Sequence, residues 1–600
     1  MPQKPLFICS RSTHESPVER LEGRKGPKNR PLMLLAADHD IVLEWENLPS
    51  GMTDPLLVLT IGSEFTFNGS DRIYVRTGDS DTRLAELEVL FADPYQQLTF
   101  ALPIQVGEGG ALRLRLEVEG QSDLWLFAPD QEASDGLEVH LPLIVDRAGE
   151  TPDIVSSLSS LGSLQTFSWK EGCVLDALKA ISDAGLSEQA GVAIRQHLDY
   201  FGFSSGDLVY ENPRNVRMVN QLGSIETTLP FARVAEIDPK HPWVNLTLDF
   251  WKTLIGTDGS VQEDEMISCE GAYTVAYPMV LIAKERDEPE WYDVAETLLI
   301  NTYRRLVRDD GVYLRHYPDG RRTFRNWARG LCWLLLGHVQ TLRVLPTEPA
   351  KLLEQLEALA QFAAESQRSD GLWACFVDDE KSLPDTSASV GIAAAFAIGV
   401  REGLLPEEYR DRAVACRNSA SEYINPLGFL SGCSQSNKGG EELQRSNYRV
   451  TLPYASGLYG LLEVSLLVSR IARASLGRLQ RSWSRKGHGS FTASGPKNVA
   501  RAWQNFWATG PATYVTSRTK ERSSSWPAKS VLTSSWTALF TRLPLRITAK
   551  GSAHFTRQGG SSSCRRHRSR HSPSRKSRTH FERTSKRTPP SCRLGSPQPN

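Results

Sequence analysis

Asp310-Gly311-Val312-Tyr313-Leu314 returns 60 residues later as Asp370-Gly371-Leu372-Trp373-Ala374: a glycine turn, an aromatic or apolar stretch, then a helical pattern. Similar turns at Gly206, Gly259 and Gly428 complete a series of five glycines spaced 53, 52, 60 and 57 residues apart. A period of that size marks a repeat architecture. Between the turns, 291–307, 326–345, 350–367, 386–404 and 407–423 carry apolar residues at i, i+3, i+4 and i+7, the pattern of amphipathic helices. The repeating unit is therefore an αα-hairpin. Five turns within residues 150–472 imply about six hairpins, and closing them into a ring buries every inner face. The sequence predicts a mostly α fold, an (α/α)6 toroid over residues 165–470, with the glycine turns on its rim and no strands within it.

Upstream the period changes to two. Leu112, Leu114, Leu116 and Val118 alternate with Arg113, Arg115, Glu117 and Glu119, and Leu137, Val139, Leu141, Leu143 and Val145 repeat the theme. With turn pairs such as Asn68-Gly69 and Gly109-Gly110 between the runs, residues 33–147 read as an antiparallel β-sandwich-like domain. A Ser/Gly/Leu-rich link from Thr151 to Thr166 joins the two. Residues 1–32, basic and rich in Pro and Gly, read as a disordered or misannotated start. The last 128 residues, 473–600, are dominated by Ser, Arg, Thr and Pro. They carry Trp483, Trp503, Trp507, Trp526 and Trp536 without periodicity, unlike ordinary disordered tails. This segment reads as a basic low-order tail or a frame-shifted stretch.

The near-neutral total hides a strong asymmetry: the tail carries +24, residues 1–32 about +4, and the body between them about −29. Bulk electrostatics of that sign argue against the folded body holding nucleic acid or an anionic membrane face. The nine cysteines are scattered, with no C-x-x-C pair, and read as reduced core residues. No apolar run reaches membrane-spanning length, so a cytoplasmic location is expected.

One motif match fails on context. Gly202-Phe-Ser204-Ser-Gly206 has the G-x-S-x-G spacing but follows a helical segment instead of a strand. No H-x-x-H or phosphate-cradling glycine loop occurs in a suitable setting, and neither a metal nor another cofactor is expected. What remains are acids, aromatics and one arginine at loop ends of the ring: Glu226, Glu270, His316, Trp327, Arg329, Trp333, Asp385 and Ser387. Each also has a plain structural reading. An acid in a helix's first turn stabilises it, as Glu226 would; Asp385 suits an N-cap; Trp333 on an apolar face suits a core.

Phe167-Ser-Trp169-Lys-Glu171-Gly172, Trp327-Ala-Arg329-Gly330-x-x-Trp333 and Asp385-Thr-Ser-Ala-Ser, followed by Gly399-x-x-x-Gly403-Leu-Leu, resemble the unsaturated rhamnogalacturonyl hydrolases of glycoside hydrolase family 105. These are kin of the unsaturated glucuronyl hydrolases of family 88. The similarity spans about 165–465, and the Trp-Ala-Arg-Gly element is its most specific part. It implies an (α/α)6 barrel and an oligosaccharide substrate ending in an unsaturated uronic acid. The implied chemistry is protonation of the C4=C5 double bond, addition of water at C5, and opening of the hemiketal to release the sugar. It further implies Glu270 as general acid/base, Glu226 as its carboxylate partner, Arg329 on the uronate carboxylate and His316 on the sugar or the water. Trp327 and Trp333 would wall the ring, with Trp169, Asp385 and Ser387 beside them. The chain departs from the family in carrying glutamates at 226 and 270 where the family has aspartates. It also has one more residue before Pro278, and Gly330-Leu331-Cys332 for Gly-Asn-Gly. A sugar-binding protein without turnover, or a lyase or epimerase on the same ring, are the rival readings. Because the tail lacks both repeat and pattern, cutting the chain after Ser469 is expected to leave soluble, folded protein; loss of soluble expression refutes that reading.

Overall fold

The computed structural model describes residues 5–13, 30–49, 51–63, 71–78, 80, 82–104, 110–120, 123–130, 133–148, 151–212, 216–379 and 381–467. The expected basic tail lies outside the described residues. The protein is mostly helical with a β-rich N-terminal region.

Alternation along Leu112–Glu119 buries Leu114, Leu116 and Val118 and turns the charged residues outward. This strand centres an antiparallel sheet ordered Arg11–Ser12, Ile41–Trp45, Leu112–Glu119, Asp71–Thr77, Arg83–Val89. A second sheet runs Phe7–Ile8, Leu143–Asp146, Pro55–Thr60, Gln97–Ala101. Pro55–Thr60 is buried along its whole length. Leu57 and Leu59 fill the core between the sheets, while Leu56 and Val58 pack on Leu427 and Phe429 of the helical region. A sheet covered on both faces needs a continuous apolar run instead of alternation. The expectation that residues 1–32 lack structure fails for 5–13: Phe7–Ile8 and Arg11–Ser12 each add an edge strand, and Cys9 between them is fully buried. Residues 14–29 are outside the described set.

The helices sort into two kinds. Ala328–Val344 is buried at every position from 328 to 342, and Thr386–Glu402 from 386 to 399, as expected of helices apolar all round. Glu408–Ala420 instead buries only Tyr409, Ala413, Cys416 and Ala420, one narrow stripe. The fully buried helices pack in succession, and small residues set their approach. Gly172 of Trp169–Asp183 abuts Leu229, just before Phe231–Ile237; Gly337 of Ala328–Val344 lies against the backbone of Ala272; Gly391 of Thr386–Glu402 faces Cys332 and Leu458. Gly457, in a helix spanning 453–467, rests on the Cys173 carbonyl, which brings the last described helix back onto Trp169–Asp183.

All five repeat glycines have positive φ, from 76° at Gly259 to 140° at Gly311, the region that side chains avoid. The expected absence of strands is overturned. Val209–Glu211 pairs with Arg217–Val219, and Gly311–His316 pairs with Ile267–Ser268, Val307–Arg308 and Arg322–Arg325. These strands lie in the connections between helices, where backbone groups released from the helical ladder need partners.

At Gly337 an added Cβ would sit 2.4 Å from the Ala272 carbonyl carbon. Backbone cannot yield as a side chain can, so Gly337→Ala is expected to destabilise the fold by at least about 1–3 kcal/mol, read as a lowered denaturant midpoint. An unchanged midpoint would show that the two segments do not meet there.

Candidate active site

Ile267–Ser268 ends in the turn that starts the helix at Glu270. The Ser268 hydroxyl accepts from the Glu270 amide at 3.2 Å and donates to Glu270 Oε2 at 2.7 Å. The first turn of a helix favours a negative charge, and Glu270, 7% exposed, has both that and a hydroxyl donor. The helix continues as a π-turn, Ala272–Ala276, before Tyr277–Arg286. π-turns mark single-residue insertions and frequent functional sites, and this one falls where the extra residue before Pro278 was counted. Pro278 has no N–H; Thr228 Oγ1 supplies a donor to the Thr274 carbonyl at 2.6 Å.

Thr228 caps the short turn Ile225–Thr227, which Ser224 opens by accepting from the Glu226 amide at 3.1 Å. Glu226 therefore lies on the turn that Thr228 ties to the Glu270 helix. Glu263 accepts from Ser224 Oγ and from the Ile225 amide, both at 3.1 Å. Burial, and then the charge of Glu270, push the Glu226 carboxyl up to about 8 despite the opposing charge of Arg315; Glu263 raises it further and Lys170 lowers it. Among the described residues no donor reaches the Glu226 carboxyl, so at neutral pH it keeps its proton.

Arg329 and Asp385 belong to a different group. Asp385 caps Thr386–Glu402, taking hydrogen bonds from the Ser387 amide at 3.0 Å and the Ala388 amide at 3.4 Å. It also accepts from Ser387 Oγ and Ser434 Oγ, each at 2.6 Å, from the Ser434 amide at 3.2 Å, and from Arg329 Nη2 at 3.1 Å. Burial alone would raise it, but Arg329 and the two serines outweigh burial and hold it below the usual carboxylate range. Arg329 is 2% exposed and also donates to the Ser434 carbonyl and hydroxyl. Its Nε and the Trp327 indole nitrogen are buried without a hydrogen-bond partner, and the guanidinium lies 5.0 Å from the Trp327 ring.

Aromatic rings bridge the two groups. Tyr273, in the π-turn after Glu270, stacks on Trp333 at 6.0 Å. Trp333 meets Trp169 edge-on at 5.1 Å, and Trp169 meets Tyr454 at 4.7 Å. Tyr454 in turn donates to Ser387 Oγ at 3.1 Å.

Of the residues singled out from sequence, Glu226 and Glu270 come together, and Arg329, Asp385, Ser387 and Trp327 form a second node, in which Arg329 Nε and the Trp327 indole nitrogen stay without a hydrogen-bond partner. His316 departs from expectation: it pairs in register with Ile267, while its neighbour Arg315 pairs with Ser268, so the two point to opposite faces. Burial, then Arg322 and Arg305, lower His316. Ser204, the rejected nucleophile, donates to Asp199 on the surface. Residues missed from sequence are Ser268, Glu263, Arg315, Ser434 and Tyr454. Only Ser268 left a signal, as a capping serine two residues before an acid. Among the described residues no group of three or more His, Cys, Asp or Glu could hold a metal ion, and no helix is long and apolar enough to cross a membrane.

Residues 243–469 match the sequence model of Glycosyl Hydrolase Family 88. No curated protein matches the chain. Among solved structures, a possible family 105 member from Salmonella enterica is similar at 19% identity and TM-score 0.45, over 52% of this chain and 84% of the other. A family 105 glycoside hydrolase from C. acetobutylicum is similar at 16% and 0.45, over 51% and 95%. The unsaturated glucuronyl hydrolase of Bacillus sp. GL1 is similar at 18% and 0.40, over 51% and 87%. The resemblance carried by Trp327–Trp333 and Asp385–Ser389 thus extends to that family model over residues 243–469, within the helical body, and the match supports a glycoside hydrolase.

Proposed function

We propose that this protein hydrolyses oligosaccharides ending in a 4,5-unsaturated uronic acid, and that Glu226 and Glu270 are its acid/base pair on an (α/α)6 ring. The observation that carries this is the unequal state of the two carboxyls. Glu270 receives a hydroxyl donor and heads a helix, while Glu226 receives no donor and is driven up to about 8 by burial and by Glu270. A carboxyl pushed toward its protonated form beside a hydrogen-bonded carboxyl gives one reaction a donor and an acceptor. The resemblance implied the proton on Glu270; the hydrogen bonds favour the reverse.

Glu226 delivers its proton to C4 of the double bond, leaving positive charge shared between C5 and the ring oxygen. Water adds to C5 as the Glu270 carboxylate takes its proton. The C5 hemiketal then opens, the bond from C5 to the ring oxygen breaks, and the hemiacetal left at C1 expels the next sugar. The unequal carboxyls favour turnover over mere sugar binding, since a site that only binds gains nothing from holding a proton.

Incubation with unsaturated disaccharides should abolish the ultraviolet absorbance of the double bond. Absence of that loss with every such substrate overturns the reading. Glu226→Gln and Glu270→Gln are each expected to lower kcat by about 10²–10⁴-fold while retaining substrate binding. Wild-type activity should fall as the pH rises through about 8, where Glu226 ionises.

The same group makes a stability prediction. Because its folded value lies above its unfolded one, its contribution is fully present below the unfolded value and is lost as the pH rises through about 8. Glu226→Gln should therefore raise Tm at about pH 9 and leave it nearly unchanged at about pH 5. Equal effects at both pH values would show that Glu226 is not held protonated.

A further inference from the structure

We infer that Arg315, and not the arginine of the Trp-Ala-Arg-Gly element, reads the negative charge of the sugar bound at the Glu226–Glu270 pair. The inference rests on the proposed uronide-binding role of that pair and adds the residue that selects an acidic ring over a neutral one.

Three observations converge on Arg315. The first is register. Arg315 pairs with Ser268 on one side and Thr323 on the other, so the three occupy one row across the strands on one face. Ser268 is the residue that hydrogen-bonds Glu270. The second is unmet hydrogen bonding. Arg315 Nε and Thr323 Oγ1 are both buried without a partner, an arrangement that costs free energy until a ligand supplies acceptors. The third is charge. Among the described residues no carboxylate lies within ion-pair distance of Arg315, which is half-buried and close enough to Glu226 to act on its proton affinity. Lys170, the other cation acting on Glu226, is already paired with Asp93 at 3.0 Å.

Arg329 offers the contrary case. Its Nε is unpartnered too, but its charge is neutralised by Asp385, its Nη2 is committed to Ser434, and it is almost wholly buried. Placing a second carboxylate there would set two negative groups against one guanidinium. A carboxylate laid against Arg315 and Thr323 meets an uncompensated cation and a hydroxyl, the fork geometry and donor set that suit it. The same contact would hold the ring's C5 end toward the row that leads through Ser268 to Glu270.

The test uses the full-length protein, an unsaturated uronyl disaccharide and its methyl ester, with turnover and calorimetric binding measured for each. The wild type is expected to prefer the free acid. Arg315→Gln should raise KM for the acid by about 10- to 100-fold, with a smaller change in kcat, and erase the preference over the ester. Arg315→Lys should restore part of it. Removing the cation should also move the alkaline limb of the activity profile upward, because Arg315 opposes the upward shift of Glu226. A preference for the acid that survives in Arg315→Gln overturns the assignment, as does equal binding of acid and ester by the wild type. If the wild type binds the acid selectively through Arg315 yet turns over no unsaturated uronide, the assignment stands and the proposed reaction falls.

Discussion

Pro278 has no amide hydrogen to give, and the acidic pair is assembled around that lack. The Thr274 carbonyl, left without its helical donor, takes the Thr228 hydroxyl at 2.6 Å. Thr228 ends the turn that carries Glu226, and Thr274 lies four residues beyond Glu270, so one hydrogen bond fixes two carboxyls from distant parts of the sequence. The π-turn between Glu270 and Pro278 sets the direction in which Glu270 leaves the helix. Gly337 lets the next helix press against that turn, backbone on backbone. Each piece repairs a local fault in regular helix, and together the repairs define the candidate site.

Asp385 and Glu226 show how far surroundings decide the state of a carboxyl. Asp385 is fully buried and Glu226 half-buried, and burial opposes ionisation in each. Asp385 is met by six donors from Arg329, Ser387, Ala388 and Ser434 and stays ionised. Glu226 meets another carboxylate and keeps its proton. The first serves as a structural node, holding the start of one helix to the arginine of another and to the loop at Ser434. The second can do proton chemistry near neutral pH.

The helical body was legible because its signals are long. The glycine turns recur at nearly even spacing, and helices such as Glu290–Leu306 and Ala350–Glu365 close within a residue or two of the pattern that foretold them. The strands within the body were not legible, since Gly311–His316 is too short to show period two, and Phe324 and Asn326 turn the chain with positive φ that no glycine announces. The two-residue strands at Phe7 and Arg11 are shorter still. Among the candidate site residues, the acids could be picked out because acids near helix starts are a local feature. The pairing of Arg329 with Asp385 spans 56 positions, and the place of Arg315 depends on cross-strand register with Ser268. Neither leaves any mark in the adjoining residues.

The segment between Leu90 and Gln97 joins the β-rich region to the helical body through contacts that neither part can satisfy alone. The Leu90 amide donates to the Tyr448 hydroxyl at 2.9 Å, Gln97 exchanges hydrogen bonds with Thr451 and Asn425, and Asp93 neutralises buried Lys170. Leu56 and Val58 cover Leu427 and Phe429. A gene rearrangement that separated the two parts would strand a buried cation and uncover an apolar face in the same event. The two regions are thus bound to be inherited together, and a chimera could exchange one only by bringing its own matching seam.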